Sequence, residues 1–269
     1  MKVFVGMETS GAFRGRFAAM GHDARSADLL PAEDDGAGHI VGDVFEALDA
    51  LRARGWWPDL AIFHPTCTYL TNSAAWAFND PDYGRYPGVG YHQRVATGTL
   101  VGAERRKARA LALNDVRRIM ALPIRRKVIE NPIGAISAAI RKPTQIIQPY
   151  EFGDDASKAT CFWYVGADGE ELPDMRLPVY PAKRVAGRMV PRARAMGASD
   201  RANGCANGCA GPAFIERWAN QTDTGQNRLS PGGDRWKERS RTFPGIADAG
   251  AAHWAGVSEM TNDIGDIFG

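Results

Sequence analysis

Two residues have the type and setting for covalent or proton-transfer chemistry. Cys67 stands in "IFHPTCTYLTNS" (62–73), where a short apolar strand runs into Pro65 and the cysteine follows two residues later. A cysteine is a useful nucleophile only when it is partly exposed and its thiolate is favoured. A strand end followed by a polar turn offers exposure, and a nearby helix N-terminus would favour the thiolate. An isolated cysteine is more often a small buried hydrophobe, but the polar and aromatic residues after Cys67 suit a site wall. Glu130 stands in "IENP", directly after apolar strand residues. Partial desolvation there is expected to raise its pKa and suit it to donating a proton. The plainer reading is a surface carboxylate at a strand end. Asn131–Pro132 fixes the turn behind it.

Further acids mark strand ends. The first turn, "METSGAFRG", contains glycine but is not G-x-G-x-x-G, so alone it is weak evidence for a nucleotide site. Asp28 lies 17 residues past Gly11, where an acid can hydrogen-bond ribose hydroxyls. Asp43 is a third candidate polar contact. Each acid taken alone is more often an ordinary loop residue. Cys205 and Cys209 in "CANGC" could hold zinc with His253 and another ligand, but no second close pair exists, so a free pair or an adventitious disulfide is the expectation. Cys161 in "ATCFWY" is expected to be packed.

The elements that must position these residues alternate. "KVFVGM" (2–7) reads as a strand, 11–21 as a helix, 23–30 as a strand ending at Asp28, 39–44 as a strand and 45–54 as a helix. "DLAIFH" (59–64) is a buried strand. Residues 103–122 form an amphipathic helix with Leu113, Val116 and Met120 on one face and arginines on the other, and 127–132 is a strand ended by Pro132. Such βαβ alternation predicts a parallel sheet covered by helices, with ligands at the carboxyl ends of its strands. Glu8–Gly11, Asp28, Asp43, His64–Cys67 and Glu130–Pro132 all fall there. The Gly- and aromatic-rich stretch 76–100 is expected to be a functional lid or disordered. Residues 165–235 are rich in Gly, Pro, Arg and Asn and are expected to form an irregular basic lobe, before a helix after Pro244.

Composition excludes little. The chain has 269 residues and a formal net charge of +2, so overall charge points to no partner. The charge is uneven: Arg176, Lys183, Arg184, Arg188, Arg192, Arg194 and Arg201 face one acid, Asp200, over 176–201. No run of about 18 apolar residues exists, so no membrane span is expected. "MKVFVGMETSG" is too short and too polar past Val5 for a signal peptide, and the four cysteines are then expected in a reducing cytoplasm.

Taken together, "ETSGAFRGRFAAMGHDARSADLLP" (8–31), "HIVGDV" (39–44), "HPTCTYLTNS" (64–73), "IENP" (129–132), "QIIQPYEFGDDASKATCFWY" (145–164) and "RSRTFPGIADAGAAHW" (239–254) resemble the cytosine-C5 DNA methyltransferases, specifically small phage-type enzymes. The resemblance implies an α/β fold, a Rossmann-like S-adenosylmethionine-dependent methyltransferase sheet with a small irregular basic lobe. It implies a catalytic domain from 1–164 and 236–269 and a target-recognition-like lobe over 165–235. It makes Cys67 the nucleophile, Glu130 the acid of a Glu-Asn motif and Lys158 the positive group, because "SKAT" stands where the family has Gln-x-Arg-x-Arg. Glu8, Ser10, Gly11, Asp28, Asp43 and His64 match the S-adenosyl-L-methionine site, which the C-terminal helix would complete. Asn72, Arg94, Lys183, Arg184 and Arg188 become contacts to double-stranded DNA whose target base is flipped out, in the cytoplasm of a phage-infected bacterium. Thr66-Cys67 replaces the family's Pro-Cys, and Glu-Asn-Pro its Glu-Asn-Val.

Other readings stay open. An amino-methyltransferase would use Asp/Asn-Pro-Pro-aromatic and no nucleophile; "HPTCTY" is a poor version of that, and Glu130 would then have no clear task. The same fold could act on a free deoxycytidine nucleotide, or transfer a modified group. A non-catalytic DNA-binding decoy would have little reason to keep both Cys67 and Glu130.

Overall fold

The computed structural model describes residues 1–166, 172, 174–176, 184–195, 212–229, 238 and 241–255. They fall into two compact units. The first comprises Met1–Thr9, Asp23–Ile146 and Thr160–Glu171, and the second Ser10–His22, Ile147–Ala159 and Leu172–Gly269.

The first unit is built on the sheet. Strands β1 (Lys2–Gly6), β2 (Asp23–Asp28), β3 (His39–Val41), β4 (Leu60–Phe63), β5 (Arg126–Pro132), β6 (Gln145–Ile147) and β7 (Thr160–Gly166) lie in the order β3-β2-β1-β4-β5-β7-β6. The pairs β2–β3, β1–β2, β1–β4 and β4–β5 are parallel, whereas β5–β7 is antiparallel. This is the expected α/β class with a mostly parallel, Rossmann-like sheet. Both faces are apolar, as a covered parallel sheet requires. Phe4, Ala61, Phe63, Ile129, Cys161 and Trp163 join one core with Leu48, Leu51, Val116 and Ile119. The alternate residues Val3, Val5, Leu60, Ile62, Val128 and Phe162 are also buried.

Helix α2 (Val44–Ala53) starts where the Asp43 carboxylate accepts the amides of Phe45 and Glu46, at 2.9 and 3.2 Å. That cap shortens the expected strand 39–44 to three residues, because Asp43 belongs to the helix. A single turn, α3 (Cys67–Leu70), follows β4; helix α4 (Gly102–Ala121) precedes β5, and α5 (Ala135–Ala139) follows it. Leu122 ends α4 because Pro123 follows it and disfavours helical geometry there. The sequence pattern does not reveal that β7 runs against its neighbour. Its β-branched and aromatic residues fit a strand, but periodicity cannot tell direction.

The stretch 76–100 is ordered within itself. Asp82 and Gly90 bond to each other's neighbourhood through Asp82 N to Gly90 O (2.8 Å), Tyr86 N to Asp82 O (2.9 Å) and Gly90 N to Tyr86 O (2.8 Å). Trp76 meets Tyr91 and His92 edge-on at 5.2 and 5.3 Å.

In the second unit, α1 (Ala12–Ala19) packs on α7 (Pro244–Trp254). Phe13 stacks on Trp254 at 5.6 Å, and Gly250 leaves the space they occupy. Arg16 and Asp248 form an ion pair across the two helices. Within the expected irregular lobe, β8 (Arg188–Pro191) and β9 (Phe214–Arg217) form an antiparallel pair, and the short α6 (Arg192–Ala195) follows β8. Tyr150 stacks on Trp218 at 3.9 Å.

Candidate active site

The register of the sheet gathers the candidates of the first unit. Ala27, Gly6, Phe63 and Ile129 lie in one row across β2, β1, β4 and β5. Parallel strands all end at the same edge, so Asp28, Glu8, His64 and Glu130 each stand one or two residues beyond that row. The chain after β1 turns sharply there. Met7 adopts a left-handed conformation, φ 63°, which non-glycine residues rarely take, and its amide bonds to Ala27 O at 2.8 Å. Gly6 admits no side chain, because a Cβ would come within 2.7 Å of both Phe63 and Val44.

Cys67 and Glu130 are joined through the last residues of β5, the loop that follows it and the loop after β4. The Asn131 side chain, itself buried, donates from Nδ2 to Pro65 O at 2.7 Å. Beyond the cysteine, Thr71 and Gly134 form a backbone bridge, and Asn72 N donates to Ile133 O at 3.3 Å. These contacts hold the Cys67 turn against the Glu130 strand on both sides of the cysteine. His64 Nδ1 lies 3.4 Å from Glu130 Oε2, with both side chains largely buried. Cys67 opens α3, its carbonyl accepts Thr71 N–H at 2.9 Å, and its thiol is partly exposed and forms no disulfide among the described residues. The exposure fits a nucleophile; one helical turn supplies little macrodipole, so the local amides matter more.

Cys161 is the contrasting thiol. It pairs in register with Asn131 and is fully buried. Burial, and secondarily the charge of Glu130, pushes its thiol up to about 11. It is packed, as expected, and inert at neutral pH.

No family model matches the chain, and no curated protein matches it. Among solved structures it is similar to one provisionally titled a DNA modification methyltransferase encoded within a prophage (E. coli), at 14% identity and a TM-score of 0.37. The likeness covers 62% of this chain and 47% of that one, so the chain spans about half the length of that protein. A likeness this weak assigns no function.

The other expected site residues are distributed over both units. Asp28 accepts Leu30 N–H at 2.9 Å through Oδ1, and Asp43 uses Oδ1 to cap α2, so each has a second carboxylate oxygen outside those bonds. Glu8 is buried. Asn72 and Arg94 are exposed in the first unit. In the second unit, Gly11 caps α1 with φ 70° and Ser10 Oγ accepts Ala12 N–H at 3.2 Å. Lys158 donates to Arg241 O at 3.3 Å beside the Phe243 ring. Arg184 bonds to Glu216 at 2.7 Å, and Arg188 pairs with Asp223. His253 Nδ1 bonds to Ala249 O at 2.7 Å, inside α7. Lys183, Cys205 and Cys209 lie outside the described residues. Among the described residues no group of three or more His, Cys, Asp or Glu could hold a metal, and no helix is long and apolar enough to cross a membrane.

Four residues of the site have contacts that the sequence does not reveal. Asn131 reads as a turn former in the sequence, yet its bond to Pro65 O links residues 66 positions apart. The resemblance implies a cofactor contact for His64, whereas the structure sets its ring beside Glu130. The amphipathic pattern of α4 places its arginines opposite the apolar face, yet Arg105 is buried and Arg109 partly so. Burial lowers the pKa of both from the ordinary guanidinium value. Arginines at i and i+4 in a polar stretch give no hint of this.

Proposed function

We propose that the chain is an S-adenosylmethionine-dependent methyltransferase that modifies C5 of cytosine in DNA through a covalent Cys67 adduct. The observation that carries this reading is the tie between Cys67 and Glu130: Asn131 to Pro65 on one side of the cysteine, Thr71 to Gly134 on the other. An amino-methyltransferase needs no such nucleophile, and a buried structural cysteine needs no exposure.

Cytosine C5 is a weak nucleophile. In the proposed reaction the Cys67 thiolate bonds to C6, which places the electron pair on C5. C5 takes the methyl group and then loses its proton to solvent, and the re-formed C5–C6 double bond expels the thiolate. Glu130 faces the N3/N4 edge and stabilises the charge developing on the ring, help worth about 10²–10⁴-fold. His64, 3.4 Å from the Glu130 carboxylate, holds that group in place. Because C5 and C6 are stacked inside a duplex, the base must leave the helix to reach Cys67.

S-adenosyl-L-methionine, when bound, supplies the electrophilic methyl group. The donor set at the sheet edge fits such a ligand: Asp28 offers a carboxylate oxygen to ribose hydroxyls, and the Glu8 and Asp43 carboxylates complement a cationic ligand. The resemblance adds Ser10 and Gly11 to that set, Lys158 to the reaction, and Asn72, Arg94, Lys183, Arg184 and Arg188 to DNA.

A second reading keeps the chemistry and changes the substrate to a free deoxycytidine nucleotide. It is favoured by the carboxylates that Arg184 and Arg188 already hold, since a phosphate backbone would have to compete with Glu216 and Asp223. Mass spectrometry of nucleosides from cells expressing the wild type, Cys67→Ala or Glu130→Gln tests both. C5-methylated cytosine in DNA, present only with wild type, supports the proposal. The same product confined to the nucleotide pool supports the second reading. N-methylated bases that survive Cys67→Ala would sink both.

A further inference from the structure

We infer that Arg105 and Arg109 of α4 are positioning residues for the Cys67 thiol, an inference that rests on the reading of Cys67 as the nucleophile. A one-turn helix leaves its later carbonyls without intrahelical partners. The two arginines take them. Arg105 donates from Nη2 to Thr68 O at 3.0 Å and from Nη1 to Leu100 O at 3.2 Å. Arg109 donates from Nε to Tyr69 O at 2.8 Å and from Nη2 to Thr71 O at 3.4 Å. Four residues apart, they stand one above the other on the same face of α4. Three of the four residues that follow Cys67 are therefore held through their carbonyls by one rigid helix.

The cost of this arrangement argues for a purpose. Among the described residues, neither guanidinium is paired with a carboxylate, although Arg105 is buried and Arg109 partly so. A buried charge without a counter-ion is expensive to keep. Here it is compensated in part by carbonyl oxygens and ring faces, with Arg105 Nε buried and unbonded among the described residues: Arg105 lies 5.4 Å from the Tyr69 ring centre and 4.8 Å from that of Phe78, and Arg109 lies 3.3 Å from Phe78. An apolar helix face would pack on α3 without that cost, but it would leave the carbonyls unbonded and the turn free to shift. The next residue, Arg106, bonds to Phe78 O at 2.7 Å and to the Asp80 carboxylate at 2.9 Å. The same helix thus fixes the start of the long loop and the nucleophile turn together. The arginines act through the backbone of α3, so they position the thiol and take no part in bond making.

The test compares Arg109→Ala, Arg109→Lys and Arg105→Lys with the exposed Arg117→Ala on the same helix. Lysine keeps the charge but cannot form the fork that spans two carbonyls. Steady-state methyl transfer to cytosine-containing DNA is measured alongside hydrogen exchange of the segment 64–73. A shift of about 1 Å at a reacting group costs on the order of 100-fold in rate. Arg109→Ala is therefore expected to lower kcat about 100-fold and the two lysine variants about tenfold, with KM for DNA within about threefold of wild type. Exchange should quicken over 66–72 and stay unchanged in β4 and β5, and Arg117→Ala should match wild type. If Arg109→Ala does not fold, the lysine variants carry the comparison. Wild-type kcat in the folded Arg109 variants overturns the inference, and so does a rise in KM for DNA at constant kcat. If the wild type methylates no cytosine substrate, the proposed function fails, and hydrogen exchange still decides the clamp: quickening confined to 66–72 supports it, and unchanged exchange overturns it.

Discussion

Substituting Gly134 with alanine should cripple the proposed chemistry without altering Cys67 or Glu130. Gly134 has φ 174°, an extended conformation open to any residue, so the backbone itself creates no strain for alanine. The obstacle is packing. An added Cβ would stand 2.8 Å from both the Leu70 carbonyl carbon and Thr71 Cα, and closer still to the Leu70 oxygen. Carbon atoms rest at about 3.5–4.0 Å, so the two segments must separate by about 1 Å. Both obstructing residues follow directly on the Cys67 turn, and the Thr71–Gly134 bridge is the contact that would open. Overpacking of this kind costs about 1–3 kcal/mol, which for a chain of this size lowers Tm by roughly 2–12 °C. If the turn yields instead of the whole fold, a displacement of about 1 Å is expected to reduce kcat on the order of 100-fold. Thermal unfolding followed by circular dichroism, together with single-turnover methyl transfer, separates the two costs. Gly134→Ala with wild-type Tm and a rate within about threefold would refute the argument, because it would show that the Cys67 turn is not held by its contact with the Glu130 strand.

Iodoacetamide at pH 8 should alkylate Cys67 in the native protein and spare Cys161, whose buried thiol is pushed up to about 11; peptide mapping reads the difference, and labelling of Cys161 before unfolding would contradict its burial. The Asp23 carboxylate is held below its ordinary range chiefly by its bonds with Arg25 and Trp56. A depressed folded pKa gives stability that is present above the unfolded value and lost as pH falls through the folded one. Asp23→Asn should therefore lower the urea midpoint at pH 7 but converge on wild type in strong acid. The effect should stay below about 1 kcal/mol for so exposed a pair, and a gap that widens in acid would reverse the sign. Gly250→Val should destabilise the second unit by about 1–3 kcal/mol, since even a Cβ there comes within 2.7 Å of Phe13 and 2.9 Å of Trp254; an unchanged melting curve would show that α1 and α7 can part without cost.

What could be read in the sequence and what could not divides along a physical line. The sheet edge was legible where an apolar run meets a polar residue, at His64 after "AIF" and Glu130 after "VI", although β5 itself runs on to Pro132, and Asp28 closes the more polar strand "DARSAD". The shared row of Ala27, Gly6, Phe63 and Ile129 then follows from parallel pairing, with no further information needed. The reversed β7 was not legible, because an apolar run has the same pattern in either direction. Nor were the contacts that fix Cys67. Asn131 to Pro65, Gly134 against Leu70, and Arg105 and Arg109 to Thr68, Tyr69 and Thr71 all engage a backbone carbonyl or need its close approach. Every residue carries a carbonyl, so such partners leave no mark in residue types or spacing. The groups proposed to react are thus written in side chains, and the geometry that positions them in main-chain contacts. For that reason the substitutions most informative about function are Gly134→Ala and Arg109→Lys, which leave Cys67 and Glu130 unchanged and move only what holds them.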